Sequence, residues 1–178
     1  MTQLYLVKPD LYYFEQYNDM MREWQESGTQ VAPWFLDQPY DCMEAFAELI
    51  QMLDDCEHGN LDHKYASTTS YFVVDKQNCL IGAASLRHYL TVEGYRTWGH
   101  IGYGIRPTAR RKGYATCTLH MMLGKAKNRN IDPVLIACHT SNIGSMKVIE
   151  NCGGKLENIV ADPNDPQETI NRYWIGNH

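Results

Sequence analysis

Hydrophobic residues recur along this chain with two periods, and the switches between them mark out strands and helices. Leu4–Val7 is a short apolar run ended by Pro9, which predicts a first strand. Asp10 stands where a helix N-cap belongs, and Phe14, Tyr17, Met21 and Trp24 share one face of the helix it starts, with Gly28 as the stop. A loop over residues 29–40 carries Pro33-Trp34-Phe35. Asp41-x-x-Glu44 then has the form of a capping box, and Met43, Phe46, Ala47, Ile50 and Leu53 supply the buried stripe of a second helix. After a polar connection, residues 70–74 and 79–87 read as two strands joined by a tight turn at residues 75–78.

A loop through Gly94 leads to a strand over residues 98–106, then to a helix whose Ala115, Leu119, Met122 and Ala126 share a face. Asn128-Arg-Asn130 and Pro133 end it. Residues 134–138 are almost wholly apolar, as in a strand covered on both faces, so strand, helix and strand form a βαβ unit. A short helix over 142–151 stops at Gly153-Gly154, and strands near 156–160 and 169–175 close the pattern. The order is β-α-α-β-β-β-α-β-α-β-β. No repeat, low-complexity tract or Pro/Ser-rich linker interrupts it, so residues 1–178 are expected to form one domain.

Composition narrows the class. A chain of 178 residues can bury roughly 70% of its unfolded surface without disulfides or metals. Hydrophobic residues make up 44% and charged residues 21%, as in ordinary globular domains. No apolar stretch is long enough to span a bilayer, and residues 1–8 lack the features of a signal peptide, so a cytoplasmic location is expected. The six cysteines form no C-x-x-C pair or zinc-type cluster and are expected to be reduced, mostly packed thiols. A net charge of -5 argues against nucleic acid and anionic membranes as partners and suits a cationic substrate better. His58 and His63 flank Asp62, but two ligands on a loop do not make a metal site, and none is expected.

The strongest chemical signal is the stretch Ile105-Arg-Pro-Thr-Ala-Arg-Arg-Lys-Gly-Tyr-Ala115 with Thr116. A strand, a basic turn and a helix start can hold an anion, because the first helical turn offers unpaired N–H groups at the positive end of the helix dipole. Gly113 permits close approach, Ala115 keeps the next contact small, and Arg110, Arg111 and Lys112 add charge. Two other phosphate loops are excluded: there is no Gly-Lys-Ser/Thr, and Pro107 occupies the third-glycine position after Gly102 and Gly104.

This stretch resembles motif A of the GNAT acetyltransferases, with Ile105, Pro107, Arg110, Gly113 and Ala115 at the motif positions. Asn142-x-x-Ser145 and Cys152-Gly-Gly-Lys-Leu156 resemble the family's second motif, with Gly154 where phenylalanine is usual. The resemblance covers residues 98–156. It implies an α/β (α+β) fold: a mixed, mostly antiparallel sheet of about seven strands flanked by about four helices, with a central βαβ cofactor unit. It further implies acetyl-CoA as cofactor, lying between two splayed parallel strands, those beginning at Trp98 and Val134. The pyrophosphate would sit on residues 110–116, including Tyr114 and Thr116, and the pantetheine along Tyr103 to Arg106. Asn142 and Ser145 would face the thiol end, although Asn142 serves equally as a helix N-cap.

Acetyl transfer to an amine needs a base for the amine, polarisation of the thioester carbonyl, for which backbone N–H near Ile105 is available, and a proton for the departing sulfur. Many relatives place a tyrosine seven residues after the asparagine; here that residue is Ile149. Tyr103, Tyr114 and Tyr173 are the tyrosines to consider, Tyr103 being the catalytic candidate. His100, on the strand expected to line the cleft, is the candidate base, with a satisfied, partly buried histidine as the competing reading. Glu93 and His88 are weaker alternatives. Alternation places His100 with Gly102 and Gly104, and Ile101 with Tyr103 and Ile105. The acceptor, a small-molecule, peptide or protein amine, would lie under Pro33-Trp34-Phe35, Tyr40 and the segment carrying Asp162, Asp165 and Glu168. A degenerate acyl-CoA-binding module and a pure interaction protein are the alternative functions, and assembly as a homodimer stays open.

Overall fold

Local chemistry begins and ends the first elements of the computed structural model, which describes residues 3–60 and 66–176. Strand β1 is Leu4–Val7, and the Asp10 carboxylate accepts the Tyr12 amide at 2.8 Å to start a short helical turn, Leu11–Tyr13. Helix α1, Phe14–Ser27, follows without a break and stops where Gly28 takes a left-handed conformation. Helix α2, Met43–His58, begins after Cys42 with no side-chain cap, so the expected capping box at Asp41 and Glu44 does not form. Its buried face is Phe46, Leu49, Leu53 and Cys56. Met43 is 48% exposed, and Ala47 and Ile50 are only half buried. The helix is turned relative to the expected stripe because packing on the sheet, not hydrophobicity alone, selects the face.

Strands β2, Thr68–Asp75, and β3, Leu80–Arg87, form the expected hairpin. Its turn is held by the Asp75 carboxylate, which accepts the amides of Gln77 and Cys79 at 2.9 Å each. The expected strand over 98–106 is shorter, because Gly94–Trp98 coils into a wide helical turn and β4 is only Ile101–Ile105. Then come α3, Tyr114–Asn128; β5, Val134–His139; α4, Ile143–Asn151; β6, Lys155–Ala161; and β7, Thr169–Ile175.

The single seven-stranded sheet expected from sequence is divided. One sheet has the order β1-β2-β3-β4 and the other β5-β7-β6, with every neighbouring pair antiparallel. The expected parallel pair, β4 and β5, shares no ladder among the described residues; the strands meet at one antiparallel bridge, Gly99 to Ile136, and at His100. Gly99, at φ 65°, carries the chain out of the helical turn there and interrupts regular pairing. Beyond that joint the outer edge of β4 is open.

The two faces of the sheets are covered separately. Tyr17, Met20, Met21 and Trp24 of α1 and Phe46 of α2 pack with Phe72, Val74 and Leu80. Leu119, Met122 and Ala126 of α3 and Ile149 of α4 pack with Val73, Leu86, Ile101 and Val134. Alternation along β2 thus feeds two cores from one strand. No helix among the described residues is long and apolar enough to cross a membrane. The cysteines are unpaired thiols; Cys56 is buried, three are half buried, and Cys42 and Cys79 are exposed rather than packed.

Candidate active site

The basic loop runs from the end of β4 into α3. Its first helical backbone bond is Cys117 N to Gly113 O at 3.1 Å, and no side chain caps the helix. The amides of Tyr114, Ala115 and Thr116 therefore have no acceptor within the helix. Gly113 sits at φ 80°, and a side chain there would point into open space, so the turn presents its amides outward without obstruction. Arg111 and Lys112 are exposed beside it. The residues present fit an anionic pyrophosphate.

Two of the predicted arginines have other partners. The Arg106 guanidinium pairs with the Glu23 carboxylate of α1 and donates to Leu80 O at 3.0 Å. Arg110 donates to Ile105 O and to Thr29 Oγ1, both at 3.0 Å, and lies over the Trp24 ring. Their charge is turned into the protein, which leaves Arg111 and Lys112 as the outward cations. Glu23 also accepts Thr108 Oγ1 at 2.8 Å; burial opposes its ionisation, but the bonds from Arg106 and Thr108 outweigh burial and lower its pKa. This carboxylate anchors the loop to α1. Nothing in its sequence context distinguishes it from any exposed helical glutamate.

The gap between the sheets opens into a cavity of about 600 Å³. Tyr103 of β4, Ala137, Cys138 and His139 of β5, and Asn142 and Ser145 at the start of α4 line one part. Pro33 and Trp34, Met52 and Cys56 of α2, Thr68, Arg87, Thr97 and Trp98 line another. The cavity thus joins the α4 side to the α1–α2 side, and the predicted Pro33-Trp34 segment does roof it. Phe35 and Tyr40 instead belong to the α1–α2 core. Gly102 and Gly104 pass close beneath this roof: a side-chain carbon at Gly104 would lie 1.9 Å from Ala32 O.

Asn142 Oδ1 accepts the Ser145 amide at 3.0 Å, so the helix-cap reading holds while the residue also faces the cavity. Tyr103 Oη lies 3.3 Å from Ser145 Oγ. Burial raises the Tyr103 pKa above its ordinary value, so this phenol keeps its proton. Tyr114 packs against the core, and Tyr173 is buried, with its hydroxyl donating to Glu150 at 3.2 Å. Ile149 is fully buried, and a side-chain carbon at Gly154 would lie 2.5 Å from its Cγ2. That carbon would also lie 2.8 Å from the backbone oxygen of residue 149, so the turn itself leaves residue 154 no room for a side chain.

His100 occupies the joint between the sheets and does not line the cavity. Its amide donates to Leu135 O at 2.7 Å, its Nδ1 accepts the Leu135 amide at 3.0 Å, and its carbonyl accepts the Arg87 amide at 2.8 Å. Burial, helped by the nearby Arg87 charge, lowers its pKa to about 4. Of the alternatives, His88 is bonded to Thr69 Oγ1 at 2.8 Å, and Glu93 reaches the cavity from its exposed end.

His139, which sequence reasoning passed over, ends β5 in the cavity wall. Its Nε2 lies 2.9 Å from Asp162 Oδ2, and its Nδ1 has no partner among the described residues. Asp162 is buried; the Asn164 amide and His139 both hold its carboxylate, so its pKa is lowered. Asp165 accepts the Gln167 amide at 2.9 Å within the same loop. The signal available in the sequence was a histidine at a strand end and an aspartate just after a later strand, with nothing local to pair them. No group of three or more metal-ligating side chains occurs among the described residues. His58 bonds to Asp54 O on its own helix, while Asp62 and His63 lie outside the described residues.

An open helix start whose first amides point outward thus stands beside the gap between the two sheets. The chain belongs to the GNAT acetyltransferase family: the model of the acetyltransferase (GNAT) domain matches residues 4–155. It is thus an acyltransferase that draws on acetyl-CoA. No curated protein matches it in sequence. Among solved structures it is similar to the microcin C7 self-immunity acetyltransferase MccE, in complex with acetyl-CoA and AMP, at TM-score 0.72 and 16% identity, covering 98% of this chain and 93% of that one. It is similar to the ribosomal L7/L12 alpha-N-protein acetyltransferase RimL, in complex with coenzyme A, at 0.72 and 16%, covering 98% and 94%. Dodecameric spermidine N-acetyltransferase from Vibrio cholerae is similar at 0.65 and 19%, covering 97% and 93%.

Proposed function

We propose that this chain acetylates the amine of a small molecule or peptide by direct attack on acetyl-CoA, with His139 as base. The observation that carries this reading is the imidazole of His139 in the cavity wall, oriented by Asp162 at 2.9 Å. An imidazole bonded to a carboxylate through one nitrogen has its other nitrogen placed to accept a proton. When bound, acetyl-CoA supplies the activated acetyl group. The amides of Tyr114, Ala115 and Thr116, with Arg111 and Lys112, hold the pyrophosphate, and the open edge of β4 from Tyr103 to Arg106 offers backbone groups to the pantetheine. Asn142 and Ser145 face the thiol end. Tyr103, which keeps its proton, would stand at that end as a hydrogen-bond donor in place of the tyrosine that Ile149 replaces.

The test is release of free CoA from acetyl-CoA across a panel of amines. Turnover on at least one amine supports the reading. Binding of acetyl-CoA with no turnover on any acceptor would instead indicate a degenerate binding module.

His100 is assigned to the joint rather than to proton transfer. A nitrogen that accepts the Leu135 amide is not available as a base, and replacing the ring by alanine leaves that buried amide without a partner, at a cost of about 1–3 kcal/mol. His100→Ala should lower the melting temperature while leaving kcat within a fewfold of wild type. The joint is also sensitive to pH. The folded imidazole titrates near 4 and the unfolded one near its ordinary 6.5, so the unfolded state binds more protons between these values. Stability from this group is complete above about pH 6.5 and is lost as the pH falls towards 4. His100→Gln should flatten that part of the melting-temperature profile; an unchanged profile would remove His100 as its source.

A further inference from the structure

Arg87 is a half-buried cation that this mechanism leaves unused. It ends β3 on the α1–α2 side of the cavity, and its guanidinium lies 5.3 Å from the centre of the Trp98 ring and donates through Nη1 to Gly99 O at 3.2 Å. No carboxylate forms an ion pair with it among the described residues, and Arg87 lines the cavity. The other arginines that enter the interior are compensated differently: Arg106 by Glu23, Arg172 by Glu157, and Arg110 by two oxygen acceptors. Burial lowers the Arg87 pKa to about 10, opposed only in part by the neighbouring Cys56 among the described residues. A partly desolvated guanidinium with no carboxylate partner among the described residues is stabilised by an anion entering the cavity.

We propose that Arg87 anchors an anionic group of the acceptor, so that the substrate is an amine that also carries a carboxylate or phosphate. Guanidinium geometry suits both groups, because parallel N–H donors match two oxygens of either. The Trp98 ring lies against the guanidinium and helps to hold the fork in place, while the Thr68 and Thr97 hydroxyls of the same wall donate to Ala66 O and Glu93 O. Trp34, Pro33 and Met52 supply an apolar surface for the body of the substrate. Arg87 adjoins the His100 end of β4, and Tyr103 is three residues further along, about 10 Å of strand. The span favours an anion separated from the amine by several bonds, as in a short peptide or an ω-amino acid. A polycation such as a polyamine would meet Arg87 as a like charge.

This proposal rests on the reading of the cavity as the acceptor site, and its test separates the two. Dipeptides and ω-amino acids of increasing length are compared with their amides, and phosphoethanolamine with ethanolamine, for turnover by the wild type, Arg87→Gln and Arg87→Lys. The acid forms should exceed the neutral forms by at least about tenfold in kcat/KM. That ratio should fall towards one in Arg87→Gln and be partly kept in Arg87→Lys, with acetyl-CoA affinity unchanged. The carboxylate and phosphate arms report which oxyanion is used. Calorimetric binding of the same compounds to the CoA-loaded proteins gives a readout that needs no turnover. Binding that depends on Arg87 without turnover would overturn the catalytic reading and keep the anchor. Equal use and equal binding of acid and neutral forms by the wild type, or a preference that survives in Arg87→Gln, would overturn the anchor. If Arg87→Gln lowers the melting temperature sharply, the wild-type comparison and Arg87→Lys still decide.

Discussion

Replacing His139 by alanine is expected to lower kcat by about 10²–10⁴-fold while leaving acetyl-CoA affinity unchanged, the range associated with a positioned general base. The imidazole lines the cavity from the end of β5, and the variant removes the proton acceptor without touching the loop that begins α3. Asp162→Asn should give a smaller loss, because an amide at Asp162 can still bond to the ring but no longer favours the proton on Nε2. Imidazole added to the medium should restore part of the activity of His139→Ala, since the cavity left behind can hold it. A purely structural His139 would show a lowered melting temperature, no rescue and an unaltered dependence of rate on pH. That pattern would return the base to Glu93 or to water.

The second large effect is on the cofactor. Gly113→Glu should weaken acetyl-CoA binding by at least about 100-fold, through two separate causes. The position has φ 80°, where a residue with a side chain costs roughly 1–2 kcal/mol of backbone strain. The new carboxylate would also occupy the open space in front of the Tyr114 to Thr116 amides, where the phosphates belong. Gly113→Asn separates the causes, since asparagine tolerates the left-handed region and adds no charge. It should retain most of the affinity. Binding by calorimetry checks both variants, and unchanged affinity in Gly113→Glu would show that the pyrophosphate lies elsewhere.

The reading of the fold divides along the same line as these predictions. Elements that depend on neighbouring residues were legible: the Asp75 turn, the Asp10 cap, the Gly28 stop and the α3 start at Gly113 all rest on bonds spanning a few residues. The stripe on α2 was misplaced by part of a turn, because the face that is buried depends on where β2 lies. The strand before the loop was drawn too long, because a run of Trp98 to Arg106 gives no warning that Gly99 turns left-handed and that the preceding residues coil. Splitting of the sheet between β4 and β5 was written as a parallel splay. The structure joins the strands only at Gly99 and His100.

The site shows the same division at the level of single side chains. By itself the sequence determined the local form of the proposed cofactor loop, because a helix start that offers backbone amides to an anion needs only a contiguous run, Pro107 to Thr116, and its glycine. Tertiary structure alone decided which side chains do chemistry. His100, on its strand, is bonded to Leu135 thirty-five residues away, while His139 at the end of β5, with no local mark, meets Asp162 just after β6. The charge of Arg110 is absorbed by Thr29 and that of Arg106 by Glu23, and that of Arg87 by no carboxylate among the described residues. The physical reason is range. Backbone conformation and helix dipoles are set within a few residues, whereas the pairing, burial and free valence of a polar side chain depend on groups brought beside it only when the sheets and helices pack.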